Sequence, residues 1–580
     1  MNQAAQFPHN YRRHNFQRPT TERPWLKSYM AGVVSDIDDQ IEQYTSLEDI
    51  LYRHIEKFKQ REAFVSIGVA MTYAQWGEKA KYFAAWLQSK GVKKGDRVAL
   101  MMPNCLQYPI CLLGALQIGA VVVNINPLYT ASEMEKLLID SGAETLVIFE
   151  NFAHTFEQVA AKSKIKNIVL GSIGDMIGSL KGMLINFVLR HVEKQIPAYK
   201  LPSFERFNTM LKIGSTMQVT PVSMQLDDLA FLQYTGGTTG DAKGAMLSHR
   251  NILANIMQAK AWTNGQIDEN VQETNVTLLP MYHIFSLTVN CFMFTCQGGR
   301  NVLIANPRDV KRVVMILKNE KFNGMAGVNT LFNGLLNNKD FCARDFSELK
   351  LVIAGGMATQ KAIATRWKEV TGVPIKEGYG LTETSPVVTM NPVNLETIRN
   401  EDFTGSIGVP VPSTWVRFIK EDGTEAAIGE RGEVQVWGPQ VMQGYWQRPE
   451  ETAKVIDKNG WFGTGDVGYM TEDGFVYLVD RIKDMILVSG FNVYPNEIED
   501  AVALHPGVME VAAIGVPDEV TGEKVKIVVV RKDPELTQEQ LLEHCRQHLT
   551  GYKVPKFIEF RVEELPKTTV GKVLRRALRD

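Results

Sequence analysis

The sequence predicts an α/β protein with a large N-terminal domain and a small α+β C-terminal domain. Its 580 residues are too many for one hydrophobic core, so we expect at least two domains. Strand-like apolar runs alternate with helix-like segments over most of the chain, which is typical of parallel sheets covered on both faces. From about residue 405 the pattern changes to short strands separated by turns, which predicts a small β-rich subdomain.

The alternation is clearest in the first third of the chain. Strands are predicted over RVALMMP (97–103), AVVVNIN (120–126) and TLVIFE (145–150). Helices are predicted between them, over CLQYPICLLGALQIGA and SEMEKLLIDSGA. These repeats place the parallel-sheet subdomains in the N-terminal domain.

The end of the chain contains the remaining parts of the predicted fold. The segments WVRFIKEDGTE, GEVQVWG and GFVYLVD indicate strands of the β-rich subdomain, at 405–480. Strands over VAAIGVP and KVKIVVV and a helix over TQEQLLEHCRQHL indicate the C-terminal domain. We therefore expect the N-terminal domain at 25–480 and the C-terminal domain at 481–580.

Composition and charge exclude several classes of protein. The net charge of −2 argues against a nucleic-acid-binding protein. The six cysteines form no C-x-x-C pair, so neither a zinc site nor a disulfide framework is expected, and a cytoplasmic location is favoured. Residues 1–24 are polar and basic, and we expect a disordered extension there rather than a signal peptide. No apolar run is long enough to predict a transmembrane helix.

One segment, at 175–200, has apolar residues near helical spacing with Lys181, Arg190 and Lys194 beside them. The pattern is typical of a helix that lies on a membrane surface, here the cytoplasmic face. A helix packed on its own domain is the equal alternative.

The stretch YTGGTTGDAKG, Tyr234 to Gly244, lies between a strand-like run, LAFLQ, and a helical pattern, SHRNILANIMQA. Its glycines allow backbone N–H groups to approach an anion, and its threonines and Lys243 add donors and a charge. A helix N-terminus beside the loop would favour the same anion. Because Lys243 is followed by Gly244, this is not a Walker A loop, so a phosphate loop of another kind is predicted. The alternative is a flexible surface loop.

Two further glycine motifs follow predicted strands. EGYGLTET (377–384) is expected to form a turn that lays Tyr379 against a planar base. Thr382 and Glu383 then supply a hydroxyl and a hard oxygen ligand suited to Mg²⁺. AGGM (354–357) allows a close backbone approach to the edge of the base. Taken alone, each motif is equally compatible with an ordinary turn.

Charged residues cluster near the predicted domain boundary. Asp466 follows a glycine turn in WFGTGDVGYM, and a carboxylate there could accept both hydroxyls of a ribose that Arg481 also reaches. For the charges from Asp480 to Asp484, a solvated cluster is the alternative.

Two single residues complete the candidate set. Lys572 follows Gly571 near the C-terminus, where a basic surface tail is the alternative. His283 lies in the apolar run YHIF, where a core histidine is the commoner occurrence.

Together these stretches resemble the acyl-adenylate-forming superfamily, which includes acyl-CoA synthetases, firefly-type luciferases and adenylation domains. The resemblance runs from about Trp25 to Asp580 and is greatest to bacterial long-chain fatty-acid–CoA ligases. It rests on six motifs in order: YTGGTTGDAKGAMLSHRN, GVNTLF, EGYGLTET, NGWFGTGDVG, VDRIKDMILVSGFNVYPNEIED and GYKVPK…LPKTTVGKVLRR.

The resemblance implies a two-step reaction that uses ATP, Mg²⁺ and coenzyme A. A fatty-acid carboxylate attacks the α-phosphate of ATP to give acyl-AMP and diphosphate, and the coenzyme A thiolate then attacks the acyl carbon and releases AMP. It also implies a mobile C-terminal domain that rotates about Lys483 between the steps. Enzymes of this kind often act as homodimers.

The resemblance also implies roles for single residues. Thr235 and Glu383 match an Mg²⁺-linked pair, and Lys572 matches the lysine that binds the carboxylate and α-phosphate oxygens. The other nucleotide and diphosphate contacts match Gly236, Gly237, Thr238, Thr239, Gly240, Lys243, Ala354, Gly355, Gly356, Tyr379, Gly380, Thr382, Asp466 and Arg481.

For the thiol and acyl groups, Ser489 and Gly490 resemble the lining of the pantetheine channel, and His283 resembles a histidine beside the acyl and thiol site. Some members carry a gating tryptophan four residues beyond this histidine, where the present chain has Leu287.

Three other functions are compatible with these motifs. A medium-chain or aryl acid–CoA ligase shares the chemistry, and a luciferase-like oxygenase shares the adenylate. A nonenzymatic, nucleotide-dependent fatty-acid-binding protein is the third, although the presence of Thr235, Glu383 and Lys572 argues against it.

Overall fold

The structure is a computed structural model. It describes residues 16–235, 242–265, 267–394, 402–489, 491–518, 521–568 and 571–579. The described residues form two large sheets that are mostly parallel, a four-stranded antiparallel sheet and a five-stranded C-terminal sheet. The predicted α/β class, with a large N-terminal and a small C-terminal domain, is thereby confirmed.

The strands follow one another along the described chain. In order they are β1 (Glu62–Ser66), β2 (Val69–Thr72), β3 (Arg97–Met101), β4 (Val121–Asn124), β5 (Thr145–Phe149), β6 (Asn167–Gly171), β7 (Glu205–Arg206), β8 (Leu229–Thr235), β9 (Lys243–Ser248), β10 (Thr274–Thr277), β11 (Arg300–Leu303), β12 (Gly324–Gly327), β13 (Leu351–Ala354), β14 (Ile375–Gly380), β15 (Val387–Met390), β16 (Val409–Pro410), β17 (Trp415–Ile419), β18 (Gly432–Trp437), β19 (Phe462–Met470), β20 (Val476–Arg481), β21 (Ile486–Val488), β22 (Phe491–Val493), β23 (Val508–Asp518), β24 (Gly522–Arg531) and β25 (Phe557–Arg561).

The α-helices cover the sheets. They are α1 (Asp38–Ile41), α2 (Leu47–Lys57), α3 (Tyr73–Ser89), α4 (Gln107–Gln117), α5 (Ala131–Ser141), α6 (Ala153–Glu157), α7 (Ser179–Phe187), α8 (Phe207–Gly214), α9 (His249–Trp262), α10 (Ile284–Ser286), α11 (Val310–Leu317), α12 (Asn329–Leu336), α13 (Lys339–Cys342), α14 (Lys361–Thr371), α15 (Pro449–Val455), α16 (Pro495–Ala503) and α17 (Gln538–His548).

The strand orders show how the chain builds its layers. The seven-stranded sheet has the order β7-β6-β5-β3-β4-β8-β9, and the nine-stranded sheet has the order β16-β15-β14-β13-β12-β10-β11-β1-β2. The predicted strands at 97–103, 120–126 and 145–150 are β3, β4 and β5, and the helices between them are α4 and α5. Strands β17 to β20 form the antiparallel sheet, and β21 to β25 form the C-terminal one.

The stretch after the glycine and threonine loop differs from the prediction. A strand–loop–helix was expected, but the chain forms a hairpin in which β9 returns antiparallel to β8, with Thr235 opposite Lys243. Helix α9 begins only at His249, where the Ser248 hydroxyl accepts from Asn251 N–H as its cap. The helix predicted over SHRNILANIMQA is therefore confirmed, but strand β9, buried except at Lys243, separates it from the loop.

The motif EGYGLTET also differs from its expected form. Glu377 to Gly380 belong to β14, which pairs parallel with β13 and antiparallel with β15, so the predicted turn is wrong. A side chain at Gly380 would place its Cβ 1.9 Å from the Pro386 carbonyl oxygen. Glycine here therefore serves close strand packing.

The N-terminal segment is attached to the protein over its described part. Arg18 and Arg23 both lie over the Trp415 ring, with guanidinium-to-centroid distances of 4.6 and 4.7 Å. Arg23 also donates to the Asp36 carboxylate at 2.9 Å. The expected disorder of residues 1–24 is therefore wrong from residue 16 onward, and residues 1–15 lie outside the described part of the chain.

The apolar segment at 175–200 forms α7 and a π-helical turn, Val188–Val192. One face packs on the domain, where Gly182 meets Gly174 and the Asn186 side chain accepts from Gly174 N–H at 2.9 Å. The opposite face exposes Leu180, Met183, Leu184, Phe187 and Val192, with Leu180 80% exposed. No helix in the described ranges is both long and apolar enough to cross a bilayer.

Candidate active site

The carboxyl ends of three parallel strands, β12, β13 and β14, meet at one edge of the nine-stranded sheet. Crevices at this edge are the usual ligand sites of α/β proteins. Ala354 ends β13, and a Cβ at Gly355 would lie 3.1 Å from the Phe285 ring and 3.2 Å from the Gly378 carbonyl oxygen. Gly356 has φ +80°, a conformation that favours glycine. The backbone here can therefore face a ligand closely.

A buried carboxylate links this edge to the antiparallel sheet. The Tyr379 hydroxyl donates to Asp466 Oδ2 at 2.6 Å, and Arg481 Nε donates to Asp466 Oδ1 at 3.1 Å. Asp466 and Arg481 face each other across β19 and β20. Burial, together with the Asp466 charge, raises the pKa of Tyr379 well above its usual value. The three residues that were assigned to adenine and ribose contacts therefore form one network.

Asp466 reaches this position through an irregularity in β19. Gly465 has φ +72°, and the register against β18 shifts where Glu433 faces Val467 but Gln435 faces Gly463. The inserted residues turn Asp466 toward the cleft, as bulges commonly do beside functional sites.

Glu383 lies on a short 3₁₀ turn, Thr382–Thr384, that directly follows β14. Its Oε1 accepts a hydrogen bond from the Tyr445 hydroxyl at 2.7 Å, and its carbonyl oxygen accepts from Met442 N–H at 2.7 Å. Burial raises the pKa of Glu383, and the Tyr445 hydrogen bond partly offsets that effect. Thr382 stands half-buried beside it.

Thr235 and Lys243 frame the glycine and threonine loop, at the ends of β8 and β9. The Thr235 hydroxyl donates to the Lys243 carbonyl oxygen at 3.4 Å. The Lys243 ammonium pairs with Glu451 on α15 and lies 5.0 Å from the centre of the Tyr445 ring. Gly236, Gly237, Thr238, Thr239 and Gly240 lie outside the described residues.

Lys572 of the C-terminal domain lies in the same cleft. Its loop packs on the start of α12, since a Cβ at Gly571 would lie 2.5 Å from Thr330 Oγ1. Burial, and then the positive charge of Arg481, lower the pKa of Lys572 to about 8, while Asp466 acts in the opposite direction. The contact between the Gly571 loop and Thr330 shows that the two domains meet at this point.

Lys483 lies between the domains, in the 3₁₀ turn Ile482–Asp484. Partial burial and the Arg481 charge lower its pKa, and Asp484, Asp466 and Glu383 oppose that shift. Ser489 lies in the exposed turn between β21 and β22, where its N–H donates to the Thr521 carbonyl oxygen at 2.8 Å. The described contacts of Ser489 involve none of the residues around Asp466, and Gly490 lies outside the described residues.

His283 precedes α10 at the wall of the cleft. Its Nδ1 accepts from Phe285 N–H at 3.4 Å, and burial lowers the pKa of the imidazole to about 4, so the ring is neutral at pH 7. Leu287, at the position of the gating tryptophan, is fully buried at the start of a π-helix, Leu287–Met293. Such π-helical turns are rare and often adjoin functional sites.

A small apolar-lined cavity lies between this π-helix and strands β12 and β13. An ion pair, Lys350 Nζ to Glu273 Oε1 at 2.6 Å, lies at the amino end of the strands, opposite the cleft. The apolar lining consists of Ile267, Val289, Met293, Phe294, Met325, Ala326, Leu351, Ile353 and Val393. The mostly apolar lining of the cavity is typical of small-molecule sites.

Three residues of this region were missed from the sequence. Tyr445 binds Glu383, Glu451 binds Lys243, and Arg575 binds Glu499 on α16. Each partner is more than 60 positions away along the chain, and a tyrosine, a glutamate or an arginine in a polar run carries no local signal of such a contact.

A cleft at the carboxyl edge of a parallel sheet, with a largely buried lysine from a second domain beside it, is typical of a two-domain nucleotide-binding enzyme. Sequence comparison agrees: residues 51–446 match the AMP-binding enzyme family and residues 497–572 match the C-terminal domain of AMP-binding enzymes. The chain therefore belongs to the AMP-binding enzyme family.

Similar proteins extend over the whole chain. A long-chain-fatty-acid–CoA ligase of Yersinia pestis is 52% identical over 96% of this chain and 98% of its own length. Among solved structures, the anthranilate CoA ligase AuaEII in complex with anthranoyl-AMP is 26% identical and has a TM-score of 0.80, covering 92% of this chain and 97% of that one. ATP-bound MatB from Rhodopseudomonas palustris is 27% identical with a TM-score of 0.78, covering 92% and 98%.

Tyr445→Phe should weaken the response of the enzyme to ATP and Mg²⁺. Removing the hydroxyl deprives the Glu383 carboxylate of a hydrogen bond that holds it in place and lowers its pKa. Because hydrogen bonds to charged groups contribute about 1.5–3 kcal/mol, we expect the KM for ATP–Mg²⁺ to rise about tenfold. Initial rates over a grid of ATP and Mg²⁺ concentrations measure this.

Tyr469→Phe is the matched control, because it removes another tyrosine hydroxyl, on β19, where the ring stacks on Tyr477 with ring centres 5.3 Å apart. This control variant should leave the KM for ATP–Mg²⁺ unchanged. An unaltered KM in Tyr445→Phe would show that the hydroxyl does not support Glu383.

Proposed function

We propose that the protein is a long-chain fatty-acid–CoA ligase that forms an acyl-adenylate from ATP and transfers the acyl group to coenzyme A. The observation that carries this proposal is the full-length similarity to relatives with that activity, at 52% identity over 96% of the chain. The apolar lining of the cavity between the π-helix and strands β12 and β13 is compatible with an aliphatic acid as the substrate.

In the first half-reaction a carboxylate oxygen of the fatty acid attacks the α-phosphorus of ATP. The new P–O bond replaces the bond to the leaving diphosphate, and negative charge accumulates around the α-phosphate. Lys572 would bind the attacking carboxylate and an α-phosphate oxygen, with Thr382 as a second donor, so positive charge is ready where negative charge develops. The loop from Thr235 to Lys243 would receive the diphosphate.

The other cleft residues would position the nucleotide. Tyr379 and the Ala354–Gly356 backbone would hold the adenine, with Gly380 allowing the close packing of β14 beside it. Asp466 would accept both ribose hydroxyls, with Arg481 beside it. Fixing the ribose and the base orients the α-phosphate toward the incoming carboxylate, which lowers the entropic cost of the reaction.

Mg²⁺ fits the oxygen groups of this cleft. Thr235 and Glu383 offer a hydroxyl and a carboxylate, which are hard ligands of the kind Mg²⁺ prefers, and β8 contacts the turn that carries Glu383. When bound, the ion would neutralise phosphate charge and favour departure of the diphosphate. Tyr445 would orient the Glu383 carboxylate for that purpose.

The second half-reaction requires a different set of groups around the same adenylate. We expect the C-terminal domain, 481–580, to rotate about Lys483, which withdraws Lys572 and presents Ser489 and Gly490 as the wall of a channel for the thiol arm. The coenzyme A thiolate then attacks the acyl carbon, and the bond to AMP breaks. His283, neutral at pH 7, would lie beside this carbon.

The acyl chain would occupy the apolar cavity. Strand β12 lines the cavity and leads into Val328 and Thr330, which face the Lys572 loop. A fatty acid whose carboxylate lies at Lys572 would therefore extend along β12 toward the Glu273–Lys350 pair. An aryl acid would leave most of this length unfilled.

The exposed apolar face of α7 supports peripheral contact with the cytoplasmic face of a membrane. Leu180, Leu184 and Phe187 are 80%, 63% and 58% exposed on one side of the helix, and Lys181 and Lys194 are exposed beside them. Apolar side chains flanked by cations fit an anionic lipid surface. Arg190 contributes less, because it pairs with the buried Glu150. Association into a homodimer stays a prediction.

The proposed reaction has a direct test. Incubation with ATP, Mg²⁺, coenzyme A and a mixture of fatty acids should yield acyl-CoA, AMP and diphosphate by mass spectrometry. Lys572→Met should lower acid-dependent ATP–diphosphate exchange by about 100-fold or more, which is the size of other single-donor losses. Thioester formation from supplied acyl-AMP should change much less.

The pH profile provides the control for Lys572. Because its pKa is about 8, the lysine loses its charge as pH rises, so kcat/KM for adenylation should fall above about pH 8. Lys572→Arg stays charged, so its slower reaction should lack this alkaline decline. Loss of both half-reactions together in Lys572→Met would contradict the assigned role, and absence of acyl-CoA from the wild type would contradict the function.

Gly324→Val should shorten the preferred acyl chain. Gly324 lines the cavity, and a Cβ there would contact Asn275 Oδ1 at an ordinary 3.4 Å, so a larger side chain enters the cavity without displacing backbone. We expect kcat/KM for palmitate to fall about tenfold or more while octanoate is little affected. Gly324→Ala should give an intermediate ratio, and equal losses for both acids would remove the cavity from the acyl path.

The membrane contact is tested with the double variant Leu184→Ser and Phe187→Ser. Loss of two apolar side chains that would enter the lipid should weaken binding to phosphatidylglycerol vesicles about tenfold or more, while turnover of soluble octanoate stays unchanged. Met315→Ser, on α11 and 65% exposed, is the control for loss of an apolar surface residue. If the double variant sediments with vesicles as much as the wild-type protein does, the proposed membrane contact is wrong.

A further inference from the structure

A buried arginine near the C-terminus, Arg575, contacts both sides of the junction between the domains. Its Nε donates to Glu499 Oε1 at 2.9 Å and its Nη2 to Glu499 Oε2 at 2.8 Å, which is a two-pronged contact with α16. Nη2 also donates to the Asn496 side-chain oxygen at 2.6 Å. Arg575 is three residues beyond Lys572 and follows its loop directly.

The same guanidinium faces the last strand of the N-terminal domain. Nη1 lies 3.5 Å from Asp480 Oδ1 and 3.5 Å from Asp484 Oδ2. Asp480 is almost wholly buried, and its other oxygen, Oδ2, accepts from Asn496 N–H at 2.9 Å. Asp480 and Arg481 are neighbours in β20, so their side chains point to opposite faces, one toward α16 and one toward the cleft.

These contacts lie on both sides of the expected pivot. Asp480 precedes Lys483 in the chain, whereas Asn496, Glu499 and Arg575 follow it. Rotation of the C-terminal domain about Lys483 would leave the contacts between Arg575 and α16 intact. It would separate Asp480 from Asn496 and from Arg575.

We propose that Asp480 and Arg575 form a clasp that holds the C-terminal domain in the orientation that presents Lys572 to the nucleotide. Arg575 is then a positioning residue, because it touches neither substrate and acts through the loop that carries Lys572. This inference rests on the proposed two-step function and goes beyond it by naming the groups that bias one domain orientation.

The charges in the clasp are suited to a contact that breaks and reforms. Burial raises the pKa of Asp480 to about 6, and Arg575 opposes that shift, so the carboxylate is charged at pH 7. A buried charge whose partner is removed is costly, so an isolated break is unfavourable. Rotation would expose both groups to water at the same time, which offsets that cost.

Two variants and two half-reactions test the clasp in the full-length enzyme. Arg575→Met and Asp480→Asn should each slow acid-dependent ATP–diphosphate exchange, by about 10- to 100-fold for the first, because couplings between conformational states usually have this size. Thioester formation from supplied acyl-AMP and coenzyme A should change less than about twofold in both variants. Asp480→Asn should also preserve the packing around residue 480. Arg576→Met is the matched control, since Arg576 is the exposed neighbour on the same turn.

The results separate the possible explanations. Equal losses in both half-reactions would assign the contacts to stability alone and overturn the clasp. The clasp would also be overturned if the Arg575→Met and Arg576→Met enzymes had the same rate of ATP–diphosphate exchange. If Arg575→Met does not fold, Asp480→Asn decides by the same comparison. A wild-type enzyme that shows neither exchange nor thioester formation would instead contradict the proposed function on which the clasp rests.

Discussion

A buried carboxylate, Asp466, is the group on which the arrangement of the cleft depends. It accepts hydrogen bonds from Tyr379 on the nine-stranded sheet and from Arg481 on the antiparallel sheet, so two separate layers are fastened at one point. A buried charge is tolerated only where such partners surround it. Lys572 of the C-terminal domain is affected by the same two groups, since burial and then Arg481 lower its pKa, while Asp466 raises it.

The local fold could be predicted well from the sequence, because apolar runs and helical spacing are visible within a short stretch of chain. Strands β3 to β5 and helices α4 and α5 are examples. Two motifs were placed in the wrong local structure, because pairing with a neighbouring strand decided each one and a glycine-rich motif carries no clear sign of that pairing. Gly380 belongs to a strand because β13 and β15 lie on both sides of it, and KGAMLS forms β9 because β8 is its partner.

The candidate site was predicted by motif rather than by contact. The resemblance marked Asp466, Arg481, Tyr379, Glu383 and Lys572, and the structure brings these residues to one cleft. It did not reveal Tyr445, Glu451 or Arg575, because each acts on a marked residue or its domain from a distant place in the chain. A residue that orients a catalytic group is identified by its position in the folded structure, and a short stretch of sequence does not show that position.

The two faces of β20 contribute to different sites, one to the cleft and the other to the clasp. Arg481 points into the cleft and Asp480 points to α16, so the end of β20 contributes to the proposed nucleotide site on one face and to the proposed clasp on the other. In the proposed function, a nucleotide that contacts Arg481 would therefore lie beside the clasp that positions Lys572.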